Sequence, residues 1–253
     1  MSSQFLDLSG DPILEEHLLG YGRSGVVILK DGVAVKLPLR YPYTSDVDVD
    51  ENITVIKREQ EVYKRLEHCE GVVQCLSFHE TATKLAFIRN GDLRSWLSRE
   101  KPPRSIQLSW FRQMASALSR IHDRSVIVAD IACRNILLDS DLSIKFCDFT
   151  ESTIMPPGTN METDDDNGYS IQTDIGQLGR VFYEVITGAD CEFNLHENDA
   201  SRTRLPSRET LPSTRGVWLG SVIDKCWTPG AYRKAHQLVE ELNGVSLDMV
   251  SLD

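Results

Sequence analysis

The stretch VADIACRN, residues 128–135, places the carboxylate of Asp130 five residues before the carboxamide of Asn135. Asp and Asn are both common in turns, so a loop without chemistry is the simplest interpretation of the stretch taken alone. A second acidic stretch, CDFT, residues 147–150, follows further along the chain. Short β-like segments, VIVAD and SIKFCDF, lead into the two stretches. Whether these two stretches are plain loops or parts of a functional site depends on the motifs in the rest of the chain.

Helical periodicity dominates the chain beyond Gly91. The segments LSWFRQMASALSRIH and TDIGQLGRVFYEVITG each place their apolar residues on one stripe at helical spacing, which predicts two amphipathic helices. The second is expected to end at Gly188, because glycine favours the left-handed conformation that caps many helices. Residues 156–167 and the region around residues 199–215 are predicted to be loops.

The part of the chain before Gly91 is mainly β-like. LEEHLLGYGRSGVVILKDGVAVKLPL predicts three strands joined by a glycine-rich turn and by an Asp31-Gly32 turn. The acidic segment 46–52 is predicted to be a loop, followed by a helix over ITVIKREQEVYKRL and two strands in VVQCLSFHE and TKLAFIR. These patterns predict an α+β fold whose small β-rich lobe and helical large lobe leave a cleft, the kind of place that ligands prefer.

The domain boundaries follow from the same patterns. We expect an N-terminal tail at residues 1–13, one domain at residues 14–245 and a C-terminal tail at residues 246–253. Within the domain, the change from β-like to helical sequence predicts a small lobe at residues 14–88 and a large lobe at residues 89–245.

The segment GYGRSGVV, residues 20–27, fits the pattern GxGxxGxV. Glycines in such a turn let backbone N–H groups approach phosphate oxygens without a Cβ in the way. A plain turn explains the pattern equally well when it is taken alone. A Rossmann dinucleotide site is excluded, because that site needs a helix directly after the glycines, and here VVILKDG continues as a strand.

Lys36 and Glu59 form a predicted buried ion pair. Glu59 lies at helical spacing from Ile56, Val62 and other apolar residues, so it falls in the middle of an apolar face where an unpaired charge is costly. Lys36, on the predicted third strand, is the best candidate for its cation. Glu61 is surrounded by Lys and Arg at the same spacings and is expected on the solvated face.

Taken in order, these segments resemble the eukaryotic protein kinase superfamily over nearly the whole chain. The glycine-rich segment, VAVK, the helical Glu59, DIACRN, the DF dipeptide and DIGQLG all arrive in the order of that family. LAFIRNGDLRSWL resembles the segment that joins the two lobes in kinases. The resemblance implies a two-lobed fold that uses ATP and Mg²⁺.

The resemblance also implies roles for individual residues. Asp130 is expected to accept or orient the proton of the substrate hydroxyl, with Lys36 on the α- and β-phosphates and Glu59 holding Lys36. Asn135 and Asp148 are expected to bind Mg²⁺, which prefers oxygen ligands. The residues implied in nucleotide binding are Gly20, Gly22, Gly25, Val27, Ala34, Lys36, Glu59, Phe87, Ile88, Asp92, Asn135 and Asp148. Among these, Phe87 and Ile88 would line the adenine slot beside Leu85, and Asp92 would lie near the ribose.

Arg134 belongs to the same implied catalytic group. Its place four residues after Asp130 makes DIACRN similar to the DLAARN form of tyrosine kinases, and also to the catalytic loops of some small fungal kinase-like proteins. Other features of tyrosine kinases are missing, so serine/threonine or tyrosine specificity stays open.

The chain departs from the family pattern at three positions. Ala129 replaces the Arg that commonly binds an activation-loop phosphate, so control by phosphorylation of that loop is not expected. Val128 replaces a His that braces the loop, and a packed apolar side chain can take its place. Thr150 replaces a glycine, which should make a flip of the segment harder.

Further residues resemble structural positions of the family. Asp174 matches the Asp that holds the catalytic loop backbone, and His122 matches a structural His. Arg233 matches an Arg that usually pairs with a Glu of the activation segment. No convincing counterpart of that segment's APE motif is present, and we take Glu162 as the candidate partner.

Composition limits the function classes. The net charge of −11 over 253 residues argues against binding to nucleic acid or anionic membranes and favours basic protein substrates. No apolar run is long enough for a membrane span, and the acidic N-terminal sequence does not resemble a signal peptide, so we expect a cytoplasmic or nuclear protein. The six cysteines lack metal-like spacing and are predicted to be reduced thiols.

Three functions remain open. The first is an active, atypical protein kinase that transfers the γ-phosphate of ATP to a protein hydroxyl, and the second is a pseudokinase that binds nucleotide or acts as a scaffold. The third is a small-molecule kinase of the aminoglycoside or choline phosphotransferase type. Retention of Lys36, Glu59, Asp130, Asn135 and Asp148 favours the first over the second. The complete glycine-rich segment and the DIGQLGRVFYEVITG helix argue against the third.

Overall fold

The computed structural model describes residues 2–196 and 203–247. Its chain divides into two compact units. The first unit takes in the residues up to His68 together with Val73–Ile88 and Asp148–Thr150, and the second takes in the rest. The predicted α+β class is confirmed, because the first unit holds a five-stranded sheet and one long helix, while the second is mostly helical.

The first unit is built on an antiparallel sheet. Its elements are β1 Ser2–Leu6, β2 Pro12–Leu14, β3 Leu18–Tyr21, β4 Gly25–Lys30, β5 Val33–Pro38, α1 Asp46–Arg65, β6 Cys75–His79 and β7 Ala82–Leu85. The sheet has the strand order β3-β4-β5-β7-β6, and α1 packs on β5 and β7. The turn between β4 and β5 is the predicted one, with positive φ at both Asp31 and Gly32, as a two-residue hairpin turn requires.

The predicted acidic loop at residues 46–52 is wrong, because α1 begins at Asp46. Ser45 caps the helix by accepting a hydrogen bond from the backbone N–H of Asp48, whose side chain accepts one from the backbone N–H of Ser45. Acidic residues in a first turn also face the positive end of the helix dipole. The charges that suggested a solvated loop therefore stabilise a helix start.

The N-terminal segment is a hairpin where a tail was expected. β1 and β2 pair antiparallel and lie against the sheet of the first unit. Phe5, with 1% of its surface exposed, shares a hydrophobic cluster with Ile13, Val26 and Leu39. Burial of these side chains explains why residues 2–14 fold instead of remaining a tail.

The second unit is organised around two long helices. Its elements are α2 Leu93–Leu97, α3 Arg104–His122, β8 Val126–Ile127, β9 Ile136–Leu138, β10 Ile144–Phe146, β11 Thr153–Ile154, α4 Ile171–Thr187, α5 Gly220–Cys226 and α6 Ala235–Asn243. Helix α3 packs on α4, α6, β8 and β10. Phe111 of α3 and Phe182 of α4 bring their ring centroids to 4.2 Å in this core. Gly188 caps α4 with φ 72°, as predicted.

The predicted loops are only partly described. Residues 156–167 contain no helix or ladder strand, as expected. Of the region around 199–215, residues 199–202 lie outside the described residues, and the remainder contains one short 3₁₀ helix, Arg208–Thr210. The predicted C-terminal tail is described only at residues 246–247.

None of the six cysteines is in a disulfide, in agreement with the predicted reduced thiols. Across residues 2–196 and 203–247, no helix combines the length and the apolar character that a membrane crossing requires.

Candidate active site

Lys36 and Glu59 form a buried ion pair in the first unit. Lys36 Nζ lies 2.9 Å from Glu59 Oε1 and 2.8 Å from Oε2, and only 8% of the lysine side chain is exposed. Strand β5 and helix α1 supply the two residues, which confirms the predicted pairing. Glu61 is exposed and binds Lys64 at 2.7 Å, so the predicted phase of the helix is also correct.

Asp148 and Thr150 complete a cluster around this lysine. Lys36 Nζ donates to Asp148 Oδ1 at 2.8 Å and to Thr150 Oγ1 at 2.9 Å. The Thr150 hydroxyl in turn donates to Asp148 Oδ1 at 2.6 Å. The sequence suggested only a stiffening role for Thr150, and its hydrogen bonds were missed. The one signal for them was a hydroxyl two residues after a carboxylate.

The charges of this cluster act in both directions. Burial raises the pKa of Glu59 above its ordinary value against the opposing effect of Lys36, and the charge of Asp148 raises it further. Burial opposes the positive charge of Lys36, but the carboxylates of Glu59 and Asp148 outweigh it and raise the pKa of the lysine. Burial likewise opposes ionisation of Asp148, yet Lys36 and the Thr150 hydroxyl hold the pKa of that carboxyl below its ordinary value. Lys36 therefore remains a cation at neutral pH, beside an ionised Asp148.

The backbone around Asp148 is fixed by its neighbour Phe149. The Phe149 ring is fully buried and meets the Tyr63 ring edge-on, with the centroids 5.2 Å apart. The backbone N–H of Phe149 donates to Glu59 Oε1 at 2.9 Å. Asp148 itself has φ 58°, a left-handed conformation that costs a non-glycine residue about 1 kcal/mol. Packing and hydrogen bonds of Phe149 hold this conformation.

The glycine-rich turn joins β3 to β4. A Cβ on Gly25 would lie 3.0 Å from Lys36 Cε, so glycine leaves room for the lysine side chain. At Gly20 and Gly22 a Cβ would meet no other atom within 4 Å, and neither has a positive φ. Neither packing nor backbone conformation therefore explains glycine at these two positions.

Val27 and Ala34, two of the predicted nucleotide-binding residues, lie on neighbouring strands of the same sheet. Val27 pairs with Lys36 across β4 and β5, and Ala34 pairs with Leu85 across β5 and β7. Ala34 and Leu85 are buried. Phe87 and Ile88, the predicted adenine-slot residues, lie two and three residues after the end of β7, the first half-buried and the second buried.

Asp130, Arg134 and Asn135 meet in the second unit. Arg134 Nη2 donates to both carboxylate oxygens of Asp130, at 2.6 and 2.7 Å. Asn135 Nδ2 donates to the Asp130 carbonyl at 3.0 Å and to Oδ2 at 2.9 Å. The Asp130 side chain is 31% exposed, so the carboxylate is held in place while part of it faces solvent.

Asp174 holds the backbone of this loop, as predicted. Its fully buried carboxylate accepts hydrogen bonds from the backbone N–H groups of Val128 and Ala129, both at 2.8 Å. His122 Nε2 lies 2.9 Å from the same carboxylate, which confirms a structural role for the histidine. Val128 is buried, so the apolar replacement packs as expected.

Gln177 is a second support of the loop, and the sequence did not single it out. Its Oε1 accepts from the backbone N–H of Ile131 at 3.1 Å, and its Nε2 donates to the carbonyl of Ala129 at 2.8 Å. Ala129 has φ 66° and is buried. The DIGQLG segment therefore fixes a strained backbone through two side chains on one face of α4.

Two predicted residues have partners that the sequence did not indicate. Asp92 is the N-cap of α2, with Oδ1 accepting from the backbone N–H of Ser95 at 2.9 Å and Oδ2 from its hydroxyl at 2.7 Å. The suggested pairing of Glu162 with Arg233 is wrong, because Glu162 forms its ion pair with Lys234 at 2.8 Å. The sequence does not determine which of the two adjacent cations, Arg233 or Lys234, points toward a carboxylate on an exposed loop.

The oxygen atoms proposed for metal binding belong to different units, Asp148 to the first and Asn135 to the second. Asp148 offers a carboxylate, and Asn135 offers its amide oxygen, since its amide nitrogen is used by Asp130. These hard donors fit Mg²⁺, which takes few protein ligands alongside phosphate and water. Within the described parts of the chain, no cluster of three or more His, Cys, Asp or Glu could hold a metal by itself.

Comparison with known proteins gives the family. Residues 14–214 match the family model described as protein kinase domain. The serine/threonine-protein kinase kin-29 of Caenorhabditis briggsae is 25% identical over 69% of this chain and 24% of its own length. The dual specificity protein kinase shkA of Dictyostelium discoideum is 25% identical over 96% of this chain and 51% of its own. The tyrosine-protein kinase JAK3 of Rattus norvegicus is 25% identical over 68% and 19%, respectively.

These relatives are longer than the part they share with this chain. The chain spans between 19% and 51% of their lengths, and their names include all three classes of hydroxyl specificity. Because the family model covers most of its residues, the chain belongs to the protein kinase family.

Proposed function

We propose that this chain is an active protein kinase, which uses Mg²⁺ and ATP to phosphorylate a hydroxyl group of a protein. The observation that carries the proposal is the complete cluster of Lys36, Glu59 and Asp148, in which the lysine bridges two carboxylates at 2.8–2.9 Å. A buried lysine in this arrangement keeps its charge and its position, and phosphoryl transfer depends mainly on positioning and on charge neutralisation.

The glycine-rich turn is proposed to bind the phosphates of ATP. Neither packing nor a positive φ requires glycine at positions 20 and 22. This supports a different reason for glycine there, namely that a ligand approaches the backbone more closely than a Cβ would allow. Lys36 would bind the α- and β-phosphates, with Gly25 making room for its side chain. Mg²⁺ held by Asp148 and Asn135 would neutralise phosphate charge.

The base and the ribose of ATP are assigned to the apolar residues nearby. Val27, Ala34, Phe87 and Ile88 supply apolar surface on β4, β5 and the segment after β7, as an adenine ring requires. Asp92 is proposed to bind the ribose in addition to capping α2.

Asp130 is proposed to receive or orient the proton of the substrate hydroxyl. Its carboxylate is partly exposed and is oriented by Arg134 and Asn135. Asp174 and Gln177 accept hydrogen bonds from the backbone N–H groups of the loop that carries Asp130. These bonds fix the loop and therefore the orientation of the Asp130 carboxylate.

The kinase is proposed to act without phosphorylation of its activation segment. Ala129 offers no cation for a phosphate. The segment is instead fastened by a hydrogen bond from the Thr153 hydroxyl to Asp166 Oδ2 at 2.7 Å and by paired backbone bonds between Asp166 and Tyr169. A segment that is already ordered by these hydrogen bonds does not require an added phosphate charge.

Protein substrates with basic surfaces are proposed from the net charge of −11, which attracts cationic partners and repels nucleic acids.

A second candidate function is nucleotide binding without transfer. Its support is the position of Arg134, whose guanidinium occupies both oxygens of Asp130. If this ion pair persists in the presence of substrate, Arg134 and Asn135 together donate three hydrogen bonds to the carboxylate and make it a weaker acceptor for a hydroxyl proton.

The deciding experiment measures Mg²⁺-dependent transfer of labelled γ-phosphate to a basic protein and to the chain itself. We expect transfer by the unchanged protein and a loss of about 100-fold or more in Asp130→Asn, because proton transfer contributes at least this factor. Lys36→Met is expected to lose transfer as well. Glu61→Gln is the matched control on the exposed face of α1 and should retain full activity.

The two candidates give different results in that experiment. Transfer that survives Asp130→Asn undiminished contradicts the assignment of Asp130. A protein without transfer whose Tm still rises with millimolar Mg²⁺-ATP supports the second candidate, because a ligand that binds the folded state stabilises it.

A further inference from the structure

The ammonium group of Lys36 has no unused hydrogen-bond donor. A lysine ammonium carries three N–H bonds. Its three acceptors here are the Glu59 carboxylate, Asp148 Oδ1 and Thr150 Oγ1, all within 2.9 Å. A phosphate oxygen that binds Lys36 must therefore replace one of these three.

The three acceptors are not equally easy to replace. Hydrogen bonds to carboxylates are stronger than those to neutral hydroxyls. Glu59 is fully buried and also accepts the backbone N–H of Phe149, and Asp148 is held by the buried ring that follows it. Thr150 is the uncharged acceptor, and its hydroxyl keeps a second partner in Asp148 Oδ1. It is therefore the acceptor that a phosphate displaces at least cost.

From this geometry we propose that Thr150 Oγ1 and a phosphate oxygen of ATP compete for the same N–H of Lys36. This deepens the proposed function, on whose assignment of Lys36 to the nucleotide phosphates it rests. Thr150 is thus a positioning residue that sets the affinity for phosphate-bearing ligands. A glycine at this position, as the kinase pattern has, would offer no side-chain acceptor and leave one N–H of Lys36 free.

The consequence is specific to ligands with phosphates. Removal of the hydroxyl should strengthen binding of ATP but leave binding of adenosine unchanged, because adenosine has no group that reaches for Lys36. A general loosening or tightening of the fold would change both affinities together. Comparison of the two ligands therefore separates competition from a structural effect.

The test measures the Kd of ATP, adenosine and inorganic tripolyphosphate by calorimetry, in EDTA so that metal binding at Asp148 does not contribute. The variants are Thr150→Val, which is close in size but lacks the hydroxyl, and Thr150→Ser, which retains it. We expect Thr150→Val to lower the Kd of ATP and tripolyphosphate about fivefold, or about 1 kcal/mol. Thr150→Ser should match the unchanged protein, and adenosine should bind all three forms equally.

A second background tests whether the effect passes through Lys36. In Lys36→Met, Thr150→Val should no longer change the Kd of ATP or tripolyphosphate, because the shared donor is gone. Circular dichroism and Tm establish that each variant is folded, and Thr150→Gly replaces Thr150→Val if the latter does not fold, with the same direction expected.

Several results overturn the inference. These are an unchanged or higher Kd for ATP in Thr150→Val, an equal gain for adenosine, a gain that persists without Lys36, or the absence of binding by either phosphate ligand to every form. A different result contradicts the proposed function alone: ATP binds with the affinities expected for the Thr150 variants, but no phosphate is transferred.

Discussion

At the scale of single residues, Asp174 is the side chain on which the catalytic loop depends most. Its fully buried carboxylate accepts from two backbone N–H groups and from His122. In Asp174→Asn, one oxygen becomes an NH₂ group that faces a donor, so at least one buried hydrogen bond is lost. We expect the free energy of unfolding to fall by about 3 kcal/mol, measured by urea denaturation.

Asp123→Asn is the matched control for that change. Asp123 is exposed at the end of α3, next to His122, and the same chemical substitution there should alter stability by less than about 0.5 kcal/mol. Equal effects of the two substitutions would contradict the role assigned to Asp174.

The sequence predicted the parts of the site that depend on helical spacing. Glu59 could be placed on the buried face of α1 because its neighbours at three and four residues are apolar, and a buried charge requires a partner. Thr150 could not be placed, because its hydrogen bonds depend on a side-chain rotation and on the left-handed backbone of Asp148. The partner of Glu162 was missed by one residue for a similar reason, since spacing along an exposed loop does not define direction.

At the scale of elements, the N-terminal hairpin is an integral part of the first unit. Phe5 of β1 lies in a cluster with Val26 of β4 and Leu39, and its ring centroid lies 4.8 Å from that of Tyr21 at the end of β3. In Phe5→Ala, a fully buried ring is removed and a cavity remains. We expect a loss of about 3–5 kcal/mol in the free energy of unfolding, measured by urea denaturation.

The control for this change is Tyr43→Ala. Tyr43 is also aromatic and stacks on Tyr41, but 82% of its surface is exposed. Its removal should cost less than about 1 kcal/mol. If the N-terminal hairpin did not contribute to the folded core, Phe5→Ala and Tyr43→Ala would both change the free energy of unfolding only slightly.

Helices α3 and α4 were more predictable than the N-terminal segment and the start of α1. Periodic apolar residues identified α3 and α4, because one face of each helix is buried along its whole length. The hairpin of β1 and β2 was missed because Phe5 and Ile13 pack on residues distant in sequence, which no local pattern reveals. The start of α1 was missed because acidic residues suit both a solvated loop and a helix N-terminus.

At the scale of the whole molecule, the division into β-rich and helical halves was visible in the sequence. The type of periodicity changes near Ile88 and Arg89, which is one of the points at which the chain passes from the first unit to the second. Residues 148–150 were expected in the large lobe, and the grouping of Asp148–Thr150 with the first unit was not predicted. No periodicity marks it, because three residues are too few to show one.

Cysteine chemistry gives a prediction that covers both units. Burial raises the pKa of five thiols, to about 11 for Cys75 and Cys191. Only the thiolate reacts rapidly, and a raised pKa lowers the thiolate fraction at pH 8. We therefore expect no more than one fast-reacting thiol when the folded protein is treated with a thiol-specific chromogenic disulfide at pH 8.

Unfolding supplies the control for this measurement. In guanidinium chloride the protein unfolds and its thiols become accessible to solvent, so all six should react rapidly without prior reduction. Fewer than six would indicate a disulfide, against the free thiols of the structure. Fast reaction of three or more thiols in the folded protein would show that the buried environments open readily. The rate of the slow thiols should rise with pH as each approaches its raised pKa, because the thiolate fraction grows about tenfold per pH unit below that value.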